Sequence, residues 1–196
     1  MSKGEATRDA ILRHATGLAS QVGLDGLTIG RLAEDLDLSK SGLFAHFRSK
    51  EALQARVLEH AAERFTELVV RPALRAPRGE PRLRAIFDRW QRWPKASGFA
   101  GGCLFVQAAV ELDDQPGPVR ELLVAQQRAW LELIAGVARA GVEAGLLRKG
   151  LDAAQLAQEL YGIMLAWHHA TRLLRDPKAS ARARAAFEAL LARARA

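Results

Sequence analysis

Residues 27–53 read LTIGRLAEDLDLSKSGLFAHFRSKEAL, and this stretch decides the fold. Thr28 suits the N-cap of a helix carrying Leu32, Ala33 and Leu36 on one side, since its hydroxyl can accept from an amide that the first turn leaves unpaired. The helix-poor LDLS that follows puts Ser39 at the cap of a second, shorter helix running to about His46. Leu43 and Phe47, four residues apart, share the face turned toward a small core. Lys40, Ser41, Gly42, Phe44 and Ala45 are left facing outward, on a helix with no other obvious task. Ser49 caps a third helix that begins Lys50-Glu51-Ala52-Leu53. Two short helices at an angle, with a third behind them, form a helix-turn-helix, whose second helix fits the major groove of B-DNA.

The chemistry of that face follows from its side chains. Thr28 can offer its hydroxyl and the amides of its helix start to a phosphate, or simply cap the helix. The Lys40 ammonium can donate to guanine O6 and N7 or, equally, to a phosphate. Ser41 can bond either type of base, Gly42 permits close backbone approach, and Ala45 offers only an apolar contact. With so few donors, sequence-dependent DNA shape carries part of any specificity. The formal net charge of +7 adds little, because residues 1–50 hold seven basic against six acidic residues. The excess sits elsewhere, with eight basic against two acidic residues in 71–95 and five against one in 178–196. Locally, Lys40, Arg48 and Lys50 face no acid between Leu38 and Lys50, but Glu34, Asp35 and Asp37 lie just upstream.

Working outward, Glu5 to Val22 forms a first helix with Ile11, Leu12, Ala15, Leu18, Ala19 and Val22 as its apolar stripe. Arg8 and Arg13 on its other side can reach a phosphate or remain solvated. Gly23-Leu24-Asp25-Gly26 turns the chain, with Gly23 available for a left-handed cap. The helix begun at Lys50 continues to about Val70, burying Leu53, Val57, Ala61, Phe65 and Leu68. Arg71-Pro72 ends or kinks it, and APRGEP (76–81) is the plainest break. Pro81 opens a helix that Pro94 and Ser97-Gly98 end, and Gly101-Gly102 precede another beginning at Cys103. After Pro116-Gly117-Pro118 a long helix runs to about Leu147, broken by Gly145 and Gly150. Asp152-x-x-Gln155 resembles a capping box, and Asp176-Pro177 separates the last two helices. No sheet is expected, so the fold class is all-α.

The 196 residues, 49% of them hydrophobic, suit a globular chain of two modules. Cys103 is the single cysteine, so no intramolecular disulfide can form. MSKGEATRDA lacks an apolar signal core, and no apolar run approaches the ~18–20 residues of a membrane span. A soluble, cytoplasmic protein without membrane contact is expected.

From about Thr7 to Leu53 the pattern resembles the TetR/AcrR family of one-component transcriptional regulators. The likeness is carried by Thr28-Ile29 before Leu32-Ala33, by SKSGLFAHF (39–47) and by SKEAL (49–53). Many positions agree at fixed spacing, which makes the match specific. GGC (101–103) and ELDDQPGPVREL (111–122) are looser likenesses to regulators of this family. The resemblance implies a three-helix DNA-binding domain (1–50), a connecting helix (51–70) and a C-terminal helical ligand-binding and dimerisation domain (71–196). It implies DNA contacts from Thr28, Ser39, Lys40, Ser41, Gly42, Phe44, Ala45, His46 and Lys50, with His46 and Lys50 at positions that touch phosphate. His46 can alternatively pack beside Phe47. Phe44 departs from the family's usual tyrosine and loses its hydroxyl, keeping an apolar contact to a thymine methyl or sugar.

The expected partners are a palindromic double-stranded DNA operator, a second copy of the chain and a small apolar or amphipathic effector, with repression as the outcome. Trp90, Trp93, Cys103, Phe105 and Gln107 are candidates to line the effector pocket, together with Trp130, Tyr161, Met164, Trp167 and His168. A plain aromatic core is the alternative for most of them. Cys103 reads as a small buried hydrophobe, and adjacent His168 and His169 point about 100° apart on a helix, a poor metal pair. No metal and no cofactor is expected. An enzyme would need a motif such as GxSxG, HExxH or a P-loop, all absent. Glu111, Asp113 and Asp114 read as a solvated acidic turn. A protein-binding helical adaptor would leave the Ser39–Lys50 surface without a purpose.

Overall fold

Ten α-helices make up the regular structure of the computed structural model, which describes residues 3–196, with side chains from Thr7 onward. Met1 and Ser2, part of the first expected domain, lie outside the described residues. The helices are α1 (Lys3–Val22), α2 (Ile29–Asp35), α3 (Lys40–His46), α4 (Lys50–Phe65) and α5 (Arg71–Leu74). They continue with α6 (Glu80–Ala96), α7 (Leu104–Leu112), α8 (Pro118–Glu143), α9 (Ala153–Arg172) and α10 (Ala179–Ala194). The all-α expectation holds among the described residues, and no helix there is long and apolar enough to cross a membrane.

By contact the chain forms two compact units, and they do not follow chain order. The first takes Met1–Phe65 together with Pro94–Gln126, and the second takes Thr66–Trp93 together with Gln127–Ala196. In the first unit, α1 and α4 bury Ile11, Ala15, Ala19, Leu53, Val57, Leu58 and Ala61. Leu24, Leu27, Leu32, Leu43 and Phe47 close the same core from the short helices, and α7 adds Leu104 and Ala108. Backbone meets backbone where the loop before α7 crosses the end of α1. A Cβ at Gly101 would stand 1.4 Å from the Ser20 carbonyl oxygen, while the Gly101 amide donates to the Ser20 hydroxyl at 3.1 Å. Only glycine fits there.

In the second unit, α6 and α10 meet through a stack of Phe87 on Phe187, with ring centroids 4.3 Å apart. Arg84 lies over the Phe187 ring and Arg184 over the Phe87 ring, so guanidinium groups cover both rings. The same arginines reach carboxylates, Arg84 to Glu80 and Glu188 and Arg184 to Asp88. Arg195, just past α10, also pairs with Glu80. Leu156, Leu160 and Met164 of α9 and Leu190 and Leu191 of α10 complete this core.

Three boundaries and one cap differ from the sequence expectation. The helix through α4 is not α-helical to Val70, because Thr66–Val70 form a π-helical turn. One extra residue in that turn shifts the buried position from the expected Leu68 to Val69, leaving Phe65 and Leu68 half-buried. The Pro72 ring, which would strike the Leu68 carbonyl in an unbroken α-helix, gives the reason for the wider turn. Pro94 does not end α6 but sits inside its last turn, where only the bond to the Trp90 carbonyl is given up. α8 stops at Glu143 and not near Leu147, since Gly145 (φ 68°) takes the left-handed cap and Leu146 N–H returns to the Gly141 carbonyl at 2.9 Å. At α9, Asp152 accepts from the Ala154 and Gln155 amides, but the Gln155 side chain turns to Glu159, so the capping box is only half made.

The Glu80 cluster predicts an acid dependence. Hydrogen bonds from Arg195 and Arg84 hold the Glu80 carboxyl at about 2, below its ordinary 4.5. The unfolded chain therefore binds a proton first, and this contribution is present above about 4.5 and fades as the pH falls toward about 2. Acid unfolding followed by circular dichroism should show Glu80→Gln losing stability at neutral pH and shallower below pH ~4.5; identical curves would contradict the role given to this carboxylate.

Candidate nucleic-acid interface

The recognition surface is built from two caps and two apolar pins. Thr28 accepts from the Arg31 amide at 3.2 Å and starts α2; Ser39 accepts from the Gly42 amide at 3.1 Å and starts α3. Each hydroxyl keeps its own hydrogen for another acceptor, and that of Ser39 lies 3.2 Å from the Ser41 oxygen. Leu43 and Phe47 are 0% and 1% exposed and pin α3 to the core. Arg8 stands over the Phe47 ring at 6.0 Å, so it braces the end of α3 and does not stand clear in solvent.

Between α2 and α3 the chain turns through Asp37, whose φ of 52° is left-handed. The Leu38 amide returns to the Ala33 carbonyl at 2.9 Å and the Asp37 amide to the Glu34 carbonyl at 3.3 Å, which closes a Schellman cap. Aspartate occupies the position glycine usually takes.

With the pins inward, the remaining side chains of α3 point out. Lys40, Ser41, Gly42 and Ala45 are exposed and Phe44 is 52% exposed, an unusual setting for a ring on a helix this short. His46 is half-buried and tilted against Phe47 with centroids 6.3 Å apart, so the packing alternative is present. Lys40 folds back along α2, its ammonium 3.7 Å from where a Cβ at Gly30 would stand. A Cβ at Gly42 would come within 3.1 Å of the Ser39 cap oxygen, so glycine there also serves the cap. Among the described residues Arg31, Lys40 and Arg48 are exposed and make no ion pair. Asp35 is drawn to His14 at 3.3 Å.

Lys50 is the exception to the expected free cation. Its ammonium donates to the Asp25 carbonyl at 2.8 Å and to the Asp25 carboxylate at 3.1 Å. Glu111 corrects the sequence reading outright. It is not a solvated acid, for its carboxylate accepts from the Leu24 amide at 2.7 Å and the Asp25 amide at 3.1 Å. Arg31 is the cation that residue-by-residue reading passed over, although its type and position beside α3 were the available signal; Arg48 was counted there only as local charge.

The expected effector residues fall into two groups. In the first unit, Cys103 is buried at the start of α7 and Phe105 meets Phe65 edge-on at 5.8 Å. Gln107 keeps a buried side-chain oxygen without a hydrogen bond. An open cleft of about 230 Å³ in this unit is lined by Asp25, Glu51, Gln54, Glu111 and Arg120 among others, and by none of the expected effector residues. In the second unit, Trp90 stands edge-on to Trp167 at 5.8 Å and to His168 at 6.5 Å. Burial first, then Arg172 and His169, push the His168 imidazole below its ordinary value and favour the neutral ring. The Tyr161 hydroxyl donates to Gln127 at 2.9 Å, and Trp93, Trp130 and Met164 are buried. Among the described residues no group of three His, Cys, Asp or Glu side chains is placed to hold a metal ion.

Comparison with known proteins agrees with this architecture. Residues 11–57 match the profile of bacterial regulatory proteins of the tetR family, and residues 79–187 match the tetracyclin repressor-like C-terminal domain. The chain is 28% identical over 165 residues, 81% of its length and 80% of the other's, to the HTH-type transcriptional repressor NemR of Escherichia coli strain K12. It is 46% identical over 46 residues, 24% of its length and 21% of the other's, to the class C tetracycline repressor protein of Escherichia coli. A TetR transcriptional regulator from Chloroflexus aurantiacus J-10-FL superimposes with a TM-score of 0.86 at 26% identity, covering 98% of this chain and 96% of that one.

The left-handed Asp37 yields a direct test. Asp37→Gly removes side-chain strain at that angle and should stabilise the helix-turn-helix by about 0.5–1 kcal/mol. A higher urea midpoint at unchanged slope is the expected reading, and an equal or lower midpoint would contradict it.

Proposed function

The chain belongs to the TetR family of bacterial regulatory proteins, a DNA-binding transcriptional regulator with a helix-turn-helix, and on that premise we propose that it represses transcription as a ligand-responsive homodimer on a palindromic operator. The observation that carries this reading is α3 itself, buried on Leu43 and Phe47 and exposed everywhere a groove would be met. Arg31, Lys40 and Arg48, without ion-pair partners among the described residues, supply charge for the phosphates on either side. Thr28, Ser39, Ser41 and His46 add shorter polar contacts, while Gly42, Phe44 and Ala45 let the helix seat closely against bases. Lys50 donates to phosphate with whatever capacity Asp25 leaves it.

One helix-turn-helix reads only a short half-site, so two copies act together, their α3 helices in successive major grooves about 34–36 Å apart. A stripe of small residues on α10, Ala181, Ala185, Ala189 and Ala192, is exposed, as are Gly162 and Ala166 on α9. Leu173 and Leu174 at the end of α9 are 70% and 62% exposed. These faces support a four-helix contact between two copies around a twofold axis. The effector is a small apolar or amphipathic molecule held among Trp90, Trp167, His168 and their neighbours. It releases DNA by binding unequally to two forms of the dimer that differ in the spacing of their α3 helices. Repression follows the similarity to NemR and to the tetracycline repressor.

Quantitative binding to a selected duplex tests the interface. Lys50→Ala should weaken binding to all sequences alike, whereas Lys40→Ala should also alter sequence preference, each by roughly five- to thirty-fold, that is about 1–2 kcal/mol. Both variants binding like the parent protein would remove this face from the DNA contact.

A further inference from the structure

Glu111 lies in α7, far along the chain from α3, yet it ends on the turn that anchors Lys50. We propose that Glu111 is a positioning residue for the phosphate contact of Lys50, acting through the backbone of Asp25; this rests on the DNA reading of Lys50 given above. The carboxylate grips the Leu24 and Asp25 amides at 2.7 and 3.1 Å. Lys50 grips the same residue from the other side, through the Asp25 carbonyl at 2.8 Å and carboxylate at 3.1 Å. Gln54 of α4 donates to the Leu24 carbonyl at 2.8 Å, so the peptide groups of Leu24 and Asp25 are fixed at both their donor and acceptor ends.

The sequence leaves room for this arrangement. Gly23 has a φ of 78°, and a Cβ there would stand 1.7 Å from Glu111 Oε1. Any other residue at 23 would both strain the backbone and displace the carboxylate. Leu24 is fully buried with Glu111 in place, and losing the carboxylate takes from its amide the acceptor that holds the turn in this orientation. An ammonium has three hydrogens. Asp25 accepts two of them, through its carbonyl and its carboxylate, and the Lys50 side chain remains 45% exposed, which leaves the third hydrogen for a phosphate oxygen. A lysine held this way reaches phosphate with less loss of rotamer freedom than a free one.

The test reads the salt dependence of binding to a selected duplex by the intact chain. Each phosphate contact contributes about 0.9 to the slope of log K against log salt. Lys50→Ala should lower the slope by about that amount, Glu111→Leu should lower it equally, and the double variant should fall no further. Glu111→Gln keeps an acceptor oxygen and should restore the parent slope. If Glu111→Leu does not fold, Glu111→Asp, which retracts the carboxylate by one methylene at constant charge, carries the same comparison. A normal slope in Glu111→Leu or Glu111→Asp beside a reduced slope in Lys50→Ala overturns the positioning role and leaves the DNA interface standing. An unchanged slope in Lys50→Ala overturns the phosphate role of Lys50 and the positioning role with it.

Discussion

The turn from Gly23 to Asp25 is fixed by groups from three directions. Its Leu24 and Asp25 amides are satisfied by the Glu111 carboxylate, its Leu24 carbonyl by Gln54 and its Asp25 carbonyl by Lys50. A buried peptide group left unpaired costs about 1–3 kcal/mol, comparable to a sizeable part of a small domain's stability. The path of the chain into α2 therefore depends on residues far apart in sequence. Since α2 and α3 are short helices, too short to persist alone, their placement depends on this anchoring and on the apolar pins beneath them. The same dependence explains why α7, which falls within the tetracyclin repressor-like C-terminal match, belongs by contact with the DNA-binding helices.

Once α3 is pinned, its outer face is decided by subtraction. Leu43 and Phe47 consume the inward positions, and what remains is one lysine, one serine, glycine, alanine, an exposed phenyl ring and a half-buried histidine. Such a surface is poor in hydrogen-bond donors and smooth, suited to close seating and to reading groove shape as much as base edges. Cations are supplied around it by Arg31, Arg48 and Lys50.

Local signals made the helix-turn-helix legible in the sequence: Thr28, Ser39 and Ser49 cap helices within three residues of themselves, and the Leu43–Phe47 pair repeats at helical spacing. Asp152 was equally plain as a start, whereas Gly145 was legible as a break but not as ending α8 already at Glu143. What failed to show was non-local or cumulative. The slip from Leu68 to Val69 needs knowledge that a turn widens to π geometry ahead of Pro72. Nothing near Glu111 announces that its acceptors lie at residues 24 and 25, and nothing near Gly101 announces the close crossing at Ser20. Pro94 misled because proline stops most helices but is tolerated in a last turn, where few bonds remain to be lost.

Repeated selection of bound duplexes from a random pool, followed by sequencing, tests the central claim most directly. An enriched inverted repeat with half-site centres about one helical turn or a small multiple of it apart is the predicted result. A pool with no enriched sequence, or enrichment of a site without twofold symmetry, would contradict a symmetric pair of α3 helices reading successive grooves.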